Sequence, residues 1–229
     1  MFSSRVPREL APNRLSAAVA ARRAAGRRFL DLTITNPTRV GIVYPPDLLR
    51  ALAGDDGRAY QPEPFGLRPA RAAVAADYAR RGISVAEDRV VLTASTSEAY
   101  TLLFKLLCEP AGDEVAVPAP SYPLFDHLTR LDGVAARQYH LQYHGRWELD
   151  EPSLDAAWSE RTRAVLAVSP NNPTGSTLRA GEWNAIASRC AARDAALIVD
   201  EVFGDYALSE EGGPADVAAD GDARPLTFR

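Results

Sequence analysis

Small hydroxyl side chains follow the apolar run at residues 90–93. They are Ser95, Thr96 and Ser97, and a segment of helical periodicity begins there. Backbone N–H groups at a helix start have no partner within the helix, and with the helix dipole they favour an anion such as phosphate. Ser and Thr at this position are also ordinary helix N-caps, which is the simpler interpretation of the stretch taken alone.

A second polar stretch, residues 169–175, follows another apolar run and reads SPNNPTG. Its two prolines restrict the backbone, and Gly175 permits a tight turn. The amides of Asn171 and Asn172 would therefore be held in place directly after a buried strand. An ordinary turn needs much less than this combination, so the stretch predicts a ligand site.

Two adjacent acids, Asp200 and Glu201, end the apolar run at residues 196–199. Taken alone, the pair is typical of a solvated turn, and a metal site is a second interpretation. A carboxylate at the end of a central strand could also pair with a protonated ring nitrogen.

The elements that must position these side chains alternate along the chain. Apolar runs alternate with segments of helical periodicity, which predicts an α/β fold: a three-layer sandwich with a mainly parallel sheet. Ligands bind such sheets beyond the carboxyl ends of the strands. The predicted strands are 90–93, 114–117, 134–141, 164–168, 196–199 and one starting at 225–228; the predicted helices are 66–81, 97–107, 122–131 and 179–194; an extended segment is predicted at 30–41.

Composition narrows the class of protein. The chain has 229 residues, of which 46% are hydrophobic and 24% charged, as in ordinary globular proteins. Its net charge of −4 gives no electrostatic reason to expect nucleic acid as a partner. Residues 1–10 are polar, unlike a signal peptide, and no apolar run has membrane-spanning length. A cytoplasmic protein without nucleic-acid or membrane partners is predicted.

Cysteines and histidines do not form a metal-binding pattern. Cys108 and Cys190 are far apart in the sequence and are predicted to be reduced, buried thiols. His140 and His144 are four residues apart, but they fall in a predicted strand and turn and would not share a helical face. No metal site is predicted.

Taken together and in this order, the stretches resemble the class I/II aminotransferases of fold type I, which bind pyridoxal 5'-phosphate. The resemblance covers nearly the whole chain. Its most specific motif is NNPTG at residues 171–175, followed by DEV at residues 200–202. Further matches are NP at 36–37, Tyr60 with GLR at 66–68, and PSYP at 120–123. The resemblance implies the large domain of fold-type I enzymes.

Roles for the hydroxyl residues and one tyrosine follow from the resemblance. Ser95, Thr96 and Ser97 would bind the phosphate of the cofactor at the helix N-terminus. Tyr122 would stack on the pyridine ring. A tyrosine standing alone would more simply be a core aromatic residue.

The resemblance also implies roles for an amide, an acid and two N-terminal residues. Asn172 would hydrogen-bond the ring hydroxyl oxygen, and Asp200 would keep the pyridine nitrogen protonated. Asn36 would lie on the substrate side. Tyr60 would reach the phosphate in a neighbouring subunit, which implies a homodimer, although a tyrosine beside prolines is often a packed loop residue.

Two departures from the family pattern concern reactivity. Phe203 stands where the family commonly has a tyrosine that contacts the ring hydroxyl. Lys105 is the only lysine, and it lies within a predicted helix. The lysine that forms the covalent bond to the cofactor, and the arginine that holds the substrate carboxylate, are therefore expected after Arg229.

The domain prediction follows from this. Residues 1–40 would belong to the small domain, and residues 41–229 to an incomplete, truncated large domain that is inactive by itself. The apolar surface normally covered by the rest of the protein would be exposed, so the isolated chain is expected to self-associate.

The predicted reaction is transfer of an amino group from an amino acid to a 2-oxo acid. A C–S lyase or a decarboxylase of the same fold would use the same cofactor residues, so that alternative stays open. A third possibility is a fragment or binding module without catalytic activity.

Overall fold

The computed structural model describes residues 3–7, 9–34, 36–206 and 226–228. The chain divides into two compact units, Pro7–Pro62 and a larger one formed by Met1–Val6 with Glu63–Arg229. The division falls at residue 62, whereas the sequence-based boundary between small and large domain falls at residue 40. That boundary concerns the domains of an intact enzyme and stays a prediction.

The smaller unit contains helix α1, Arg14–Ala24, and three 3-10 helices, Pro37–Val40, Leu48–Ala53 and Asp55–Arg58. The side chain of Asn36 caps the first of these by accepting hydrogen bonds from the backbone N–H groups of Thr38 and Arg39. The prediction of an extended segment at residues 30–41 is therefore wrong for Pro37–Val40, which are helical.

The larger unit is built on a six-stranded sheet in the order β3-β2-β1-β4-β5-β6. Strands β1, β2, β4, β5 and β6 pair in parallel, and only β2 with β3 is antiparallel. The predicted mainly parallel sheet is confirmed. The strands are β1 Glu114–Ala119, β2 Ala135–Tyr143, β3 Trp147–Leu149, β4 Thr162–Val168, β5 Ala196–Asp200 and β6 Leu226–Phe228.

Helices cover both faces of the sheet, which confirms the predicted three layers. Alternate residues of one strand point to opposite faces. Leu166 packs in one buried cluster with Phe104 of helix α3 (Thr96–Leu107), and Val165 packs in another with Ile186 of helix α6 (Ala180–Ala192). The other α-helices of this unit are α2 Arg68–Arg80, α4 Phe125–Asp132 and α5 Glu151–Ala157, and a 3-10 helix spans Glu87–Arg89.

The strand predicted at residues 90–93 is wrong. Val90 is buried, but Val91 and Leu92 are exposed, and the segment is irregular. The Leu92 N–H donates to the carbonyl of Phe65 at 3.0 Å, in place of a strand ladder. Gly66 lies so close that a Cβ there would be 2.7 Å from the Leu92 Cβ, so the contact requires glycine. β-Branched residues favour strands only where a neighbouring strand completes the pairing.

No helix in the described part of the chain is long and apolar enough to cross a membrane.

A cluster of ion pairs closes the amino-terminal edge of the sheet. The Glu114 carboxylate, almost fully buried, accepts hydrogen bonds from Arg137 at 2.9 Å, Arg161 at 2.7 Å and Ser159 at 2.7 Å. The bond from Arg137 is the main cause that lowers the pKa of Glu114, against the opposing effect of burial. A buried carboxylate is tolerated when its lone pairs are satisfied in this way.

We expect Glu114→Gln to lower the free energy of unfolding by about 1–3 kcal/mol, because two arginines lose a charged partner. The folded-state pKa of Glu114 lies below the ordinary 4.5, so its stabilisation is present above pH 4.5 and is lost as the pH falls further. The difference between the two proteins should therefore shrink below pH 4.5 in urea titrations. Glu160→Gln, at a neighbouring exposed position, is the control and should change little. Equal effects of the two substitutions would contradict the assignment.

Candidate functional site

The loops that carry the predicted site residues meet at the carboxyl-terminal edge of the sheet. Val168, the last residue of β4, lies opposite Asp200, the last residue of β5. The Ser169 N–H donates to the Asp200 carbonyl at 2.9 Å. The Asn171 side chain donates to the carbonyl of Pro120, in the loop after β1, at 3.0 Å. The loop after β4 is therefore joined by direct hydrogen bonds to the end of β5 and to the loop after β1.

Asp200 is a buried carboxylate, only 5% exposed. Its Oδ2 accepts from the Tyr100 hydroxyl at 2.7 Å, and its Oδ1 accepts from the Val202 N–H at 2.9 Å. Burial raises the pKa of the Asp200 carboxyl, while these two hydrogen bonds act in the opposite direction. Because Glu201 is also buried, the interpretation of the pair as a solvated turn is wrong.

A metal site finds no support here. Among the residues that the structure describes, no three His, Cys, Asp or Glu side chains cluster closely enough to hold a metal ion.

Tyr122 lies in the loop between β1 and α4 and is 42% exposed. Its ring packs edge-on against Phe125, with centroids 5.9 Å apart and an angle of 85° between planes. Phe125 packs in the same way against Tyr100, at 5.3 Å and 70°. The core-aromatic interpretation therefore fits Phe125 better than Tyr122, whose ring is partly open to a ligand.

The two asparagines of the loop after β4 differ in their surroundings. Asn171 is 3% exposed; its amide nitrogen also donates to Thr174 Oγ1 at 2.8 Å, and its oxygen accepts from Ser121 Oγ at 2.7 Å. Asn172 is half-buried, and its side chain makes no hydrogen bond within the described chain. Asn171 thus holds the loops together, and the amide of Asn172 is available to a ligand.

At the start of α3, too, the side chain of one residue makes a hydrogen bond within the described part of the chain, and the side chains of the next two residues do not. Ser95 is the N-cap, and its Oγ accepts from the Glu98 N–H at 3.2 Å, while Glu98 accepts from the Ala94 N–H at 2.6 Å. The predicted capping role is confirmed for Ser95. The N–H and hydroxyl groups of Thr96 and Ser97 have no hydrogen-bond partner in the part of the chain that the structure describes. Together with the helix dipole, they can hold an anion.

Two further predicted residues, Asn36 and Tyr60, belong to the smaller unit. Asn36 uses its side-chain oxygen as a helix cap, and Tyr60 is 91% exposed. Their predicted roles stay predictions.

Two residues important to this edge are Tyr100, which had no role in the sequence-based prediction, and Asn171, which was predicted only to be held in place together with Asn172. Tyr100 lies within the predicted helix 97–107 and is buried in the structure, and a buried hydroxyl needs a hydrogen-bond partner. That requirement was the available signal. Residue type alone could not separate Asn171 from Asn172, because both are amides in the same loop; only the family resemblance assigned the ligand contact to Asn172.

Comparison with known proteins decides the family. The model of the class I and II aminotransferase family matches residues 36–225. The chain belongs to this family. Members of the family depend on pyridoxal phosphate, and the donor set at the sheet edge is chemically suited to that group: anion donors, an aromatic face, a free amide and a buried carboxylate.

Relatives of this aminotransferase-family chain include enzymes with different named substrates. Valine–pyruvate aminotransferase of Mycobacterium tuberculosis is 38% identical over 151 residues, which cover 66% of this chain and 38% of the relative. Alanine aminotransferase of Mycobacterium bovis is 31% identical over 186 residues, 79% of this chain and 42% of that enzyme. The chain thus spans about two fifths of the length of these relatives.

Solved structures share the same fold. Alanine aminotransferase from Pyrococcus furiosus superimposes with a TM-score of 0.81 at 26% identity, over 97% of this chain and 57% of that one. N-Succinyldiaminopimelate aminotransferase from Mycobacterium tuberculosis has a TM-score of 0.71 at 30% identity, over 80% and 48% of the two chains. The predicted fold class of this family member is confirmed.

Two positions bear on reactivity in this family member. Phe203 is partly exposed and packs against Tyr206 at 6.2 Å. Lys105 lies on α3 and pairs with Asp132. It is nine residues after Thr96, about 14 Å along the helix axis at 1.5 Å per residue. Its amine is therefore engaged well away from the start of α3.

We expect Asn171→Ala to lower the free energy of unfolding by about 1–3 kcal/mol, because Ser121 and the Pro120 carbonyl lose a buried partner. Asn172→Ala, at the adjacent half-buried amide, should cost less than about 0.5 kcal/mol. Urea denaturation followed by circular dichroism measures both. Equal losses for the two alanine variants would refute the division of roles between the asparagines.

Proposed function

We propose that this chain forms the pyridoxal phosphate-binding part of an aminotransferase, which transfers an amino group from an amino acid to a 2-oxo acid. The observation that carries the proposal is the buried Asp200 carboxylate at the end of β5. It lies at the sheet edge that also carries the start of α3, the Tyr122 ring and the Asn172 amide. Family membership supports the reaction class. The names of the relatives differ in substrate, so the proposal is for the class and not for one amino acid.

Asp200 is proposed to pair with the ring nitrogen of the cofactor. Bound pyridoxal phosphate supplies an electron-poor ring that stabilises negative charge developing at the substrate Cα. The carboxylate would hold a proton on the ring nitrogen through a charge-assisted hydrogen bond. Its burial supports this role, because a charge-assisted bond is stronger where water is excluded.

The phosphate is proposed to lie at the start of α3, bound by Ser95, Thr96 and Ser97. The N–H groups of Thr96 and Ser97 support this placement, because they have no partner among the described residues. Ser95 would contribute mainly by fixing the helix start, since its hydroxyl already accepts a bond from Glu98. The helix dipole adds attraction for the negative charge.

Tyr122 is proposed to stack on the pyridine ring, and Asn172 to bind the ring hydroxyl oxygen. The partly exposed ring of Tyr122 supports the first role. The second is supported by the side-chain amide of Asn172, which has no partner within the described ranges. Both would orient the ring without taking part in proton transfer.

The remaining roles concern the intact protein. Asn36 is proposed to lie on the substrate side, and Tyr60 to bind the phosphate held by the other subunit of a homodimer. The high exposure of Tyr60 is compatible with a position at a subunit interface. The domain division at residue 40 and a cytoplasmic location without nucleic-acid partners are part of the same proposal. No observation favours elimination or decarboxylation over amino transfer.

Binding can be tested with pyridoxamine 5'-phosphate, which lacks an aldehyde and so needs no lysine. We expect Asp200→Asn to weaken binding about 10–100-fold, since a charge-assisted hydrogen bond contributes about 1.5–3 kcal/mol. Ser97→Ala should weaken it about tenfold, the lower end for a hydrogen bond to a charged group, because the phosphate would keep the backbone N–H donors. Isothermal titration calorimetry measures each dissociation constant.

The control for Ser97 is Ser188→Ala on α6, where the hydroxyl bonds only to its own helix, to the Asn184 and Ala185 carbonyls. Its affinity should equal that of the unmodified protein. Failure of the unmodified protein to bind pyridoxamine 5'-phosphate more tightly than inorganic phosphate would reject the proposed site.

Amino transfer itself can be followed with a ¹⁵N-labelled amino acid and an unlabelled 2-oxo acid. In the intact protein the label should appear in the amino acid formed from the 2-oxo acid. Release of labelled ammonia without any acceptor would instead indicate an elimination, and would overturn the proposed reaction while leaving the cofactor site in place.

A further inference from the structure

Tyr100 lies on the buried face of α3, a little more than one turn after the helix start. Its side chain is 2% exposed, and its hydroxyl donates to Asp200 Oδ2 at 2.7 Å. The two residues are 100 positions apart in the sequence, so the bond fastens α3 to the end of β5. It holds the carboxylate through one oxygen, while the Val202 N–H holds the other.

The ring of Tyr100 makes a second connection. It packs edge-on against Phe125 at 5.3 Å, and Phe125 packs edge-on against Tyr122 at 5.9 Å. Edge-to-face aromatic pairs have a preferred geometry and resist rotation of either ring. One side chain therefore contacts the proposed ring-nitrogen partner directly and the proposed stacking residue through a single intermediate.

We propose that Tyr100 is a positioning residue for the cofactor: its hydroxyl orients the Asp200 carboxylate, and its ring, through Phe125, sets the position of Tyr122. The inference rests on the proposed function, because it presupposes that Asp200 and Tyr122 contact the cofactor. Tyr100 itself lies behind both residues and need not touch it.

The hydroxyl has an electrostatic effect that simple packing lacks. A hydrogen bond donated to a carboxylate favours its ionised form. Burial acts in the other direction and raises the pKa of Asp200, and the bond from Tyr100 is the foremost of the groups that oppose it. Without the hydroxyl, the carboxyl should stay protonated to a higher pH, and a protonated carboxyl cannot balance a positively charged ring nitrogen.

Tyr100→Phe removes the hydroxyl and keeps the ring. We expect it to weaken pyridoxamine 5'-phosphate binding about tenfold at neutral pH, in the range of one hydrogen bond to a charged group. The loss of affinity on acidification should also begin at a higher pH than in the unmodified protein. Calorimetric titrations between pH 5 and pH 8 measure both effects, and the titration of the ligand itself is common to all variants.

Tyr139→Phe is the matched control. Tyr139 is equally buried, and its hydroxyl donates to a backbone carbonyl, that of Leu166, at 2.8 Å. It should lower the urea midpoint, which reports the structural cost of deleting a buried hydroxyl. Its affinity for pyridoxamine 5'-phosphate, and the pH at which that affinity is lost on acidification (the acid limb), should not change. Equal affinities and equal acid limbs for Tyr100→Phe and Tyr139→Phe would overturn the role of the hydroxyl.

Phe125→Leu tests the aromatic connection separately. It leaves the bond between Tyr100 and Asp200 intact, so affinity should fall about threefold or more without any shift of the acid limb. Unchanged affinity in this variant would overturn the ring's role. If the unmodified protein does not bind pyridoxamine 5'-phosphate, the proposed function itself is rejected. If it binds and the variants bind equally well, only the positioning role of Tyr100 is rejected.

Discussion

The buried hydrogen bond between Asp200 and Tyr100 is the constraint on which this edge of the sheet depends. A carboxylate removed from water is unfavourable unless its oxygens are satisfied. Here the phenol of α3 satisfies one oxygen and the Val202 N–H the other. Because Tyr100 is on the same helix as Thr96 and Ser97, the bond also sets the distance between the start of α3 and the end of β5. The N–H donors at the start of α3 and the Asp200 carboxylate are thus held in fixed positions relative to each other.

The two edges of the sheet differ in how far their charged and polar groups are paired within the protein. At the amino-terminal edge, Glu114 is surrounded by arginines and a hydroxyl, so little hydrogen-bonding capacity is left there. At the carboxyl-terminal edge, amide and N–H groups of Asn172, Thr96 and Ser97 have no partner in the described chain. Unpaired donors beside a buried carboxylate favour a ligand with both a negative and a positive end. This contrast, more than the motifs alone, distinguishes the edge that we propose binds the cofactor from the edge at which charges stabilise the fold.

How far the sequence predicts this structure depends on the kind of feature. Long apolar runs predicted β4 and β5 to within two residues, because burial on both faces leaves a continuous pattern. The run at 90–93 has the same composition but no neighbouring strand, and β3 is only three residues long, too short for a pattern. Motifs predicted which loops would meet, but the partners of Asn171 and Tyr100 lie 50 and 100 residues away and depend on tertiary packing.

A common design relates the separate parts of the site. Ser95 caps α3, and Asn171 joins the loops. Among the residues that the structure describes, the donors of Thr96 and Ser97 and the side-chain amide of Asn172 have no partner. In each case one residue makes hydrogen bonds within the protein, and these bonds fix the position of a neighbouring residue whose own donors stay available to a ligand. Groups fixed before a ligand arrives lose little conformational entropy on binding, which improves affinity. Tyr100 extends the same logic to Asp200, where the holding residue comes from another element because a strand end offers no adjacent side chain on the same face.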